Sequence, residues 1–93
     1  MMKMAELKKF FEEIGFDVMY LSDDFIEFHG KKNNHESVIF DIEGSMEFER
    51  DGKIAYSLNF FNENEEQEFS MTGRICNSTV EAVNDLIVPE FGE

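Results

Sequence analysis

Ten residues, "FFNENEEQEF" from Phe60 to Phe69, bring Glu63, Glu65, Glu66 and Glu68 together with no Lys or Arg nearby. Carboxylates at this density do one of two kinds of chemistry: they ligate a cation, or they meet basic groups on a partner. The plain alternative is a solvated loop. A second acidic run, Asp41, Glu43, Glu47, Glu49 and Asp51, alternates with apolar residues along the preceding segment. Alternate residues of a strand stand ~6.6 Å apart, whereas a DNA duplex carries a charge every ~1.7 Å of axis. One strand is therefore too sparse to copy a duplex, and mimicry of nucleic acid would need the 62–68 turn, the Asp51 turn and the last helix (Glu81, Asp85, Glu90) to contribute.

Metal chemistry is weakly supported. The segment 47–58 places Glu47, Glu49 and Asp51 at positions 1, 3 and 5 of a calcium loop with Gly52 at position 6. Position 12, however, is Leu58, where a bidentate Glu belongs. His29, His35 and Glu36 flank a Lys-Asn turn and read as solvated turn residues rather than zinc ligands. No metal and no cofactor is expected.

Nucleophilic chemistry is no better supported. No Ser, His and Asp fall into a recognisable nucleophile motif, and there is no Gly-rich phosphate loop and no CxxC. Cys76, the single cysteine, precedes a predicted helix, where a thiol pKa can fall. Its neighbours Ile75 and Asn77 offer no base, so a buried, inert thiol is expected. In so acidic a chain adjacent carboxylates are not by themselves an acid–base pair. The expectation is a protein that is not an enzyme.

The composition narrows the remaining classes. The chain has 93 residues and a net charge of −13, from 21 acids against 8 bases. That length makes one domain, residues 1–93. Eleven Phe supply a large apolar core, and a single Cys rules out an intrachain disulfide, which fits a reducing, cytoplasmic setting. The start "MMKMAELKKFF" lacks the apolar stretch of a signal peptide, and no apolar run approaches a membrane span. The charge opposes direct binding to nucleic acid or to an anionic membrane and favours a basic partner. From Ile54 to Gly73, and again after Arg74, there is no Lys or Arg; solubility alone would be served by mixed charges.

The elements that position these groups follow from periodicity. Met4, Leu7, Phe11 and Ile14 form one helical face, and Gly15 is a natural stop. "STVE" (78–81) reads as a capping box opening a last helix, with Ser78 as the cap, a stripe of Val80, Val83 and Ile87, and Pro89 as its end. Between them, 16–21 and 24–29 read as short strands joined by a turn at 22–24, and "GKKNNH" (30–35) reads as the next turn. From Glu36 to Glu49 the even positions Val38, Phe40, Ile42, Gly44, Met46 and Phe48 share one face. This predicts one long strand bent at Gly44. A three-residue loop, Arg50-Asp51-Gly52, keeps Phe48 opposite Ile54 and puts Gly52 in the left-handed position of a G1 bulge. Ile54, Tyr56, Leu58 and Phe60, then Phe69, Met71 and Ile75, point inward. The expected fold is α+β: an N-terminal helix, a meander of about five antiparallel strands with one open face, and a C-terminal helix.

In size, charge and Phe/Asn/Glu-rich composition the chain resembles, as a class, inhibitors encoded by phages and mobile elements, DNA mimics and anti-CRISPR proteins among them. That resemblance implies a small binding protein that blocks a basic, nucleic-acid-binding partner such as a nuclease. Glu63, Glu65, Glu66 and Glu68 are then the main contacts, followed by Asp41, Glu43, Glu47, Glu49 and Asp51. The alternatives are an immunity- or antitoxin-like partner of a basic toxin, and a structural domain whose acidity serves only solubility.

Overall fold

The computed structural model describes residues 2–34 and 36–88. Helix α1 (Met4–Glu13) leads into strands β1 (Asp17–Leu21), β2 (Phe25–Asn33), β3 (Ile39–Phe48), β4 (Ile54–Phe61) and β5 (Gln67–Ile75), and helix α2 (Val80–Ile87) follows. The sheet is a five-stranded antiparallel meander in the order β1-β2-β3-β4-β5. The fold is the α+β arrangement that the alternation predicts.

Alternation decides which face is covered. Ile26 and Phe28 of β2, Phe40, Ile42 and Met46 of β3, and Ile54, Leu58 and Phe60 of β4 are buried on the inner face. Leu7, Phe10 and Phe11 of α1 and Val83 and Ile87 of α2 close over them. Phe11 stacks on Phe28 with ring centroids 4.0 Å apart, and Phe60 stacks on Phe69 at 4.2 Å. Each buried aromatic of this kind removes on the order of 150–250 Å² from water, which is how so short a chain offsets the self-repulsion of its charge.

The β3 pairing with β2 and β4 runs through Gly44 with no shift of register. No bulge interrupts the strand there, and the glycine meets a space requirement. A Cβ on Gly44 would stand 2.5 Å from Leu58 Cδ2 and 2.9 Å from the Phe28 ring. The glycine lets those two core side chains meet over the strand.

The hairpins share one design. In the β3–β4 turn, Glu49 N–H donates to Lys53 O (2.8 Å), Gly52 N–H donates to Glu49 O (3.0 Å), and Gly52 has φ 87. This is the predicted loop. The β2–β3 turn repeats it: Asn34 N–H donates to Val38 O, Ser37 N–H donates to Asn34 O, and Ser37 has φ 64. The β4–β5 turn repeats it again, from Asn62 to Glu66, with Glu65 at φ 64. The turn expected at 30–35 therefore lies later. Lys31 and Lys32 belong to β2, where Lys31 faces Asp41 and Asn33 faces Ile39 across the ladder. Val38 sits in the turn and is exposed rather than inward.

The last helix begins one residue later than the capping-box reading. Thr79 is the N-cap, and its Oγ1 accepts from Ala82 N–H at 3.2 Å. Ser78 is diverted: its hydroxyl donates to Gly52 O at 2.5 Å, tying the start of α2 to the β3–β4 turn. Pro89 and Glu90 lie outside the described residues. Val88 is already extended (φ −78, ψ 114), as a residue before proline prefers to be.

Candidate acidic contact surface

The sheet's outer face carries rows of polar side chains set by register. One row runs Asp17, His29, Glu43, Asn59, Ser70, and the next runs Tyr20, Glu27, Ser45, Ser57, Thr72. Between them lies an open depression of about 340 Å³, lined among others by Met19, Glu27, His29, Glu43, Ser57 and Asn59. On this floor, among the described residues, no hydroxyl hydrogen-bonds to His29. The floor offers carboxylates and small hydroxyls.

The predicted acids are spread along the length of the sheet rather than gathered at one place. Glu63, Glu65, Glu66 and Glu68 lie in or beside the β4–β5 turn, all exposed. Asp51 lies in the β3–β4 turn and Glu49 at its base, at the opposite end of the sheet. From Asp41 to Glu49 is eight residues of nearly extended chain, roughly 26 Å at ~3.3 Å per residue. Glu43 and Glu47 stand between, exposed on the outer face. Glu27, which the sequence reading did not single out, joins them diagonally from Glu43, at the ~7–8 Å spacing of diagonal neighbours.

The acids also differ in charge compensation. Asp41 is three-quarters buried, with Lys31 Nζ at 3.5 Å and His29 Nε2 at 3.6 Å from its Oδ1. Glu49 accepts from Arg74 Nε at 2.8 Å. Asp51 accepts the Lys53 N–H at 3.1 Å and faces Lys53 Nζ at 3.6 Å. The Lys53 N–H is the main reason its carboxyl is held below the usual carboxylate range, with the Lys53 charge adding to it. These three acids are spent on the fold's own bases. Among the described residues, Glu27, Glu43, Glu47, Glu63, Glu65, Glu66 and Glu68 have no ion pair.

Asn62 organises the turn cluster. Its Oδ1 accepts from Asn64 N–H (2.9 Å) and Glu66 N–H (3.0 Å). Its Nδ2 donates to Glu68 Oε1 at 2.8 Å and lies 3.5 Å from Glu66 Oε1. A neutral amide thus holds two carboxylates in place without cancelling their charge. Asn34 makes the same pair of Oδ1 bonds, to Glu36 and Val38 N–H. The sequence signal was there: an Asn four residues before the turn's closing residue, twice.

Two further expectations change. Cys76 is exposed rather than buried, in the short segment between β5 and α2. His35 lies outside the described residues. Among those described, no three His, Cys, Asp or Glu side chains cluster as a metal site. Among the described residues no helix is long and apolar enough to cross a membrane. No known protein family, no curated protein and no solved structure matches the chain.

Proposed function

We propose that the protein is an inhibitor that binds a basic, nucleic-acid-binding partner through its acidic surface and blocks it, in the manner of phage-encoded DNA mimics. The observation that carries this reading is the β4–β5 turn. Its carboxylates are exposed and unpaired, yet their backbone is fixed by Asn62. A fixed array loses less conformational freedom on binding than a mobile one, and Lys or Arg of a partner would supply the charge-assisted bonds it lacks. The wide separation of Glu49 and Asp51 from the turn centres the reading on the turn, with Glu43 next along the outer face and Glu27 and Glu47 beyond it. Asp41, Glu49 and Asp51 then serve the fold first.

The test is retention from nuclease-treated bacterial lysate at low salt, with elution by a salt gradient and identification by mass spectrometry. The expected result is a basic nucleic-acid-binding protein, displaced by added DNA or RNA and not retained by the E63Q/E65Q/E66Q/E68Q variant. A basic protein that nucleic acid fails to displace would replace mimicry with an immunity-type partnership. Loss of every salt-sensitive species would return the turn to a solvated loop.

A further inference from the structure

The two edges of the sheet are built differently. β1 is five residues long and bulged between Val18 and Tyr20, and a short, bulged edge resists pairing with another strand. β5 spans nine residues, none of them buried, and is hydrogen-bonded on one side only, by β4. It contains no Lys and no Pro, and its single irregularity lies at its first residues, opposite Phe60 and Phe61. The shift skips Glu68, and from Phe69 to Ile75 the edge is regular and, among the described residues, uncovered.

We propose that this edge docks a second copy of the chain, the two β5 strands pairing antiparallel about a two-fold axis through Met71. The register follows from the faces. Phe69, Met71 and Ile75 belong to the inner side, and Glu68, Ser70, Thr72 and Arg74 to the outer. A pairing that keeps inner against inner must place the axis on a residue, not between residues. Centred on Met71, it sets Glu68 against the partner's Arg74 and Arg74 against the partner's Glu68. Ser70 faces Thr72, and Phe69 faces Gly73, where no side chain opposes its ring. Centred on Thr72, Arg74 would face Ser70. Centred on Ser70, it would face Glu66, outside the strand. Met71 is thus the centre that joins the only acid and the only base within β5, and it does so twice, as an isologous interface requires.

In the single chain both groups are held on the β4 side of β5 and turn outward to meet the partner. Glu68 is held by Asn62 Nδ2 at 2.8 Å. Arg74 engages Glu49, across β4, through Nε at 2.8 Å, and at 61% side-chain exposure it is free to exchange that carboxylate for the partner's. Against association stands the repulsion of two chains of net charge −13. That repulsion is long-range and is screened beyond about 8 Å at physiological ionic strength, whereas the Glu–Arg pairs are at contact. Dimerisation therefore strengthens from very low to physiological salt. In the pair, the two Glu-rich turns lie ten residues apart along the strand direction, roughly 33 Å at ~3.3 Å per residue. The proposal stands independently of the blocking function.

Sedimentation velocity on the full chain, under reducing conditions and from about 10 μM to about 1 mM, tests it. The wild type is expected to pass from monomer to dimer. E68R and R74E are each expected to stay monomeric while keeping the wild-type circular dichroism, since one sets Arg against Arg and the other Glu against Glu. An equimolar mixture of the two restores opposite charges at both contacts and should recover the dimer. Oxidised M71C/C76S should form a covalent dimer through the axis. A wild type that stays monomeric throughout, a dimer indifferent to both variants, or a mixture that stays monomeric overturns the proposal.

Discussion

Glu65 occupies a backbone conformation that suits glycine, with φ 64 at the last loop position of the β4–β5 turn. Gly52 fills the equivalent position in the β3–β4 turn, at φ 87. A non-glycine residue there costs roughly 1–2 kcal/mol through the contact of Cβ with its own backbone. Glycine in turn gives back roughly 0.5–1 kcal/mol because its unfolded chain is freer. Glu65→Gly should therefore stabilise the fold by about 0.5–1 kcal/mol, a rise in Tm of ~2–8 °C for a domain of this size. Glu65→Gln removes the charge and leaves the backbone alone, so its effect should stay within about 0.5 kcal/mol. Gly52→Ala should cost about 0.5–1 kcal/mol by the same balance. Thermal melts followed by circular dichroism, at low protein concentration so that association does not contribute, read all three. A Glu65→Gly variant that melts at or below the wild-type temperature, beside a Gly52→Ala variant that is neutral, would refute the shared-turn reasoning. The same variants separate stability from binding. If the turn contacts a basic partner, Glu65→Gly gains Tm and loses affinity, whereas Glu65→Gln loses affinity alone.

Gly44→Ala should destabilise by about 1–3 kcal/mol, the usual cost of overpacking, because its methyl meets Leu58 Cδ2 and the Phe28 ring rather than solvent; urea unfolding with an unchanged m-value would show it, and a neutral variant would mean that the two side chains repack freely. The folded-state pKa of Asp51 lies below its unfolded value, so its contribution is present above the unfolded pKa and is lost as pH falls through the folded one. Asp51→Ala should therefore be less stable than wild type near neutrality, and the difference should shrink in melts below about pH 4; a gap that persists into acid would mean that the carboxylate's charge is not its source.

How much of this was legible depended on whether a residue's role was local or set by a distant partner. The β3–β4 loop was readable because face parity left one loop length that keeps Phe48 opposite Ile54, and the ladder pairs those two residues. The β2–β3 turn was misplaced because Gly30, Lys31, Lys32 and Asn33 have turn composition. Pairing with Ile39, Phe40, Asp41 and Ile42 overrides that composition, and the true turn is set by the Asn34 side chain. Ser78 and Thr79 are equally good caps by type. The choice falls to Thr79 because Gly52 O claims Ser78, and that contact spans 26 residues of sequence. The site was legible as a set of residue types, and its division was not. Nothing in the order of the acids says that Arg74 reaches Glu49 or that Lys53 turns back on Asp51.

That division bears on why the chain is acidic. Lys8 and Lys9 pair with Glu12 and Glu13 along α1, Lys31 with Asp41, Lys53 with Asp51 and Arg74 with Glu49. Exposed pairs of this kind add little stability, typically 0–1 kcal/mol. Their consequence is distributional: the bases are drawn to α1, to β2 and to the Asp51 end of the sheet, and the β4–β5 turn is left with charge of one sign. Solubility is indifferent to such a division, since a mixed surface dissolves a protein as well. Electrostatic recognition is sensitive to it, because potential accumulates only where charges of one sign are not cancelled nearby. On the proposed reading, the placement of the eight bases, more than the number of acids, is what would attract a basic partner. Moving one base, as in Asn64→Lys, should weaken retention of that partner more than Glu81→Lys on α2, although the second changes the net charge by more.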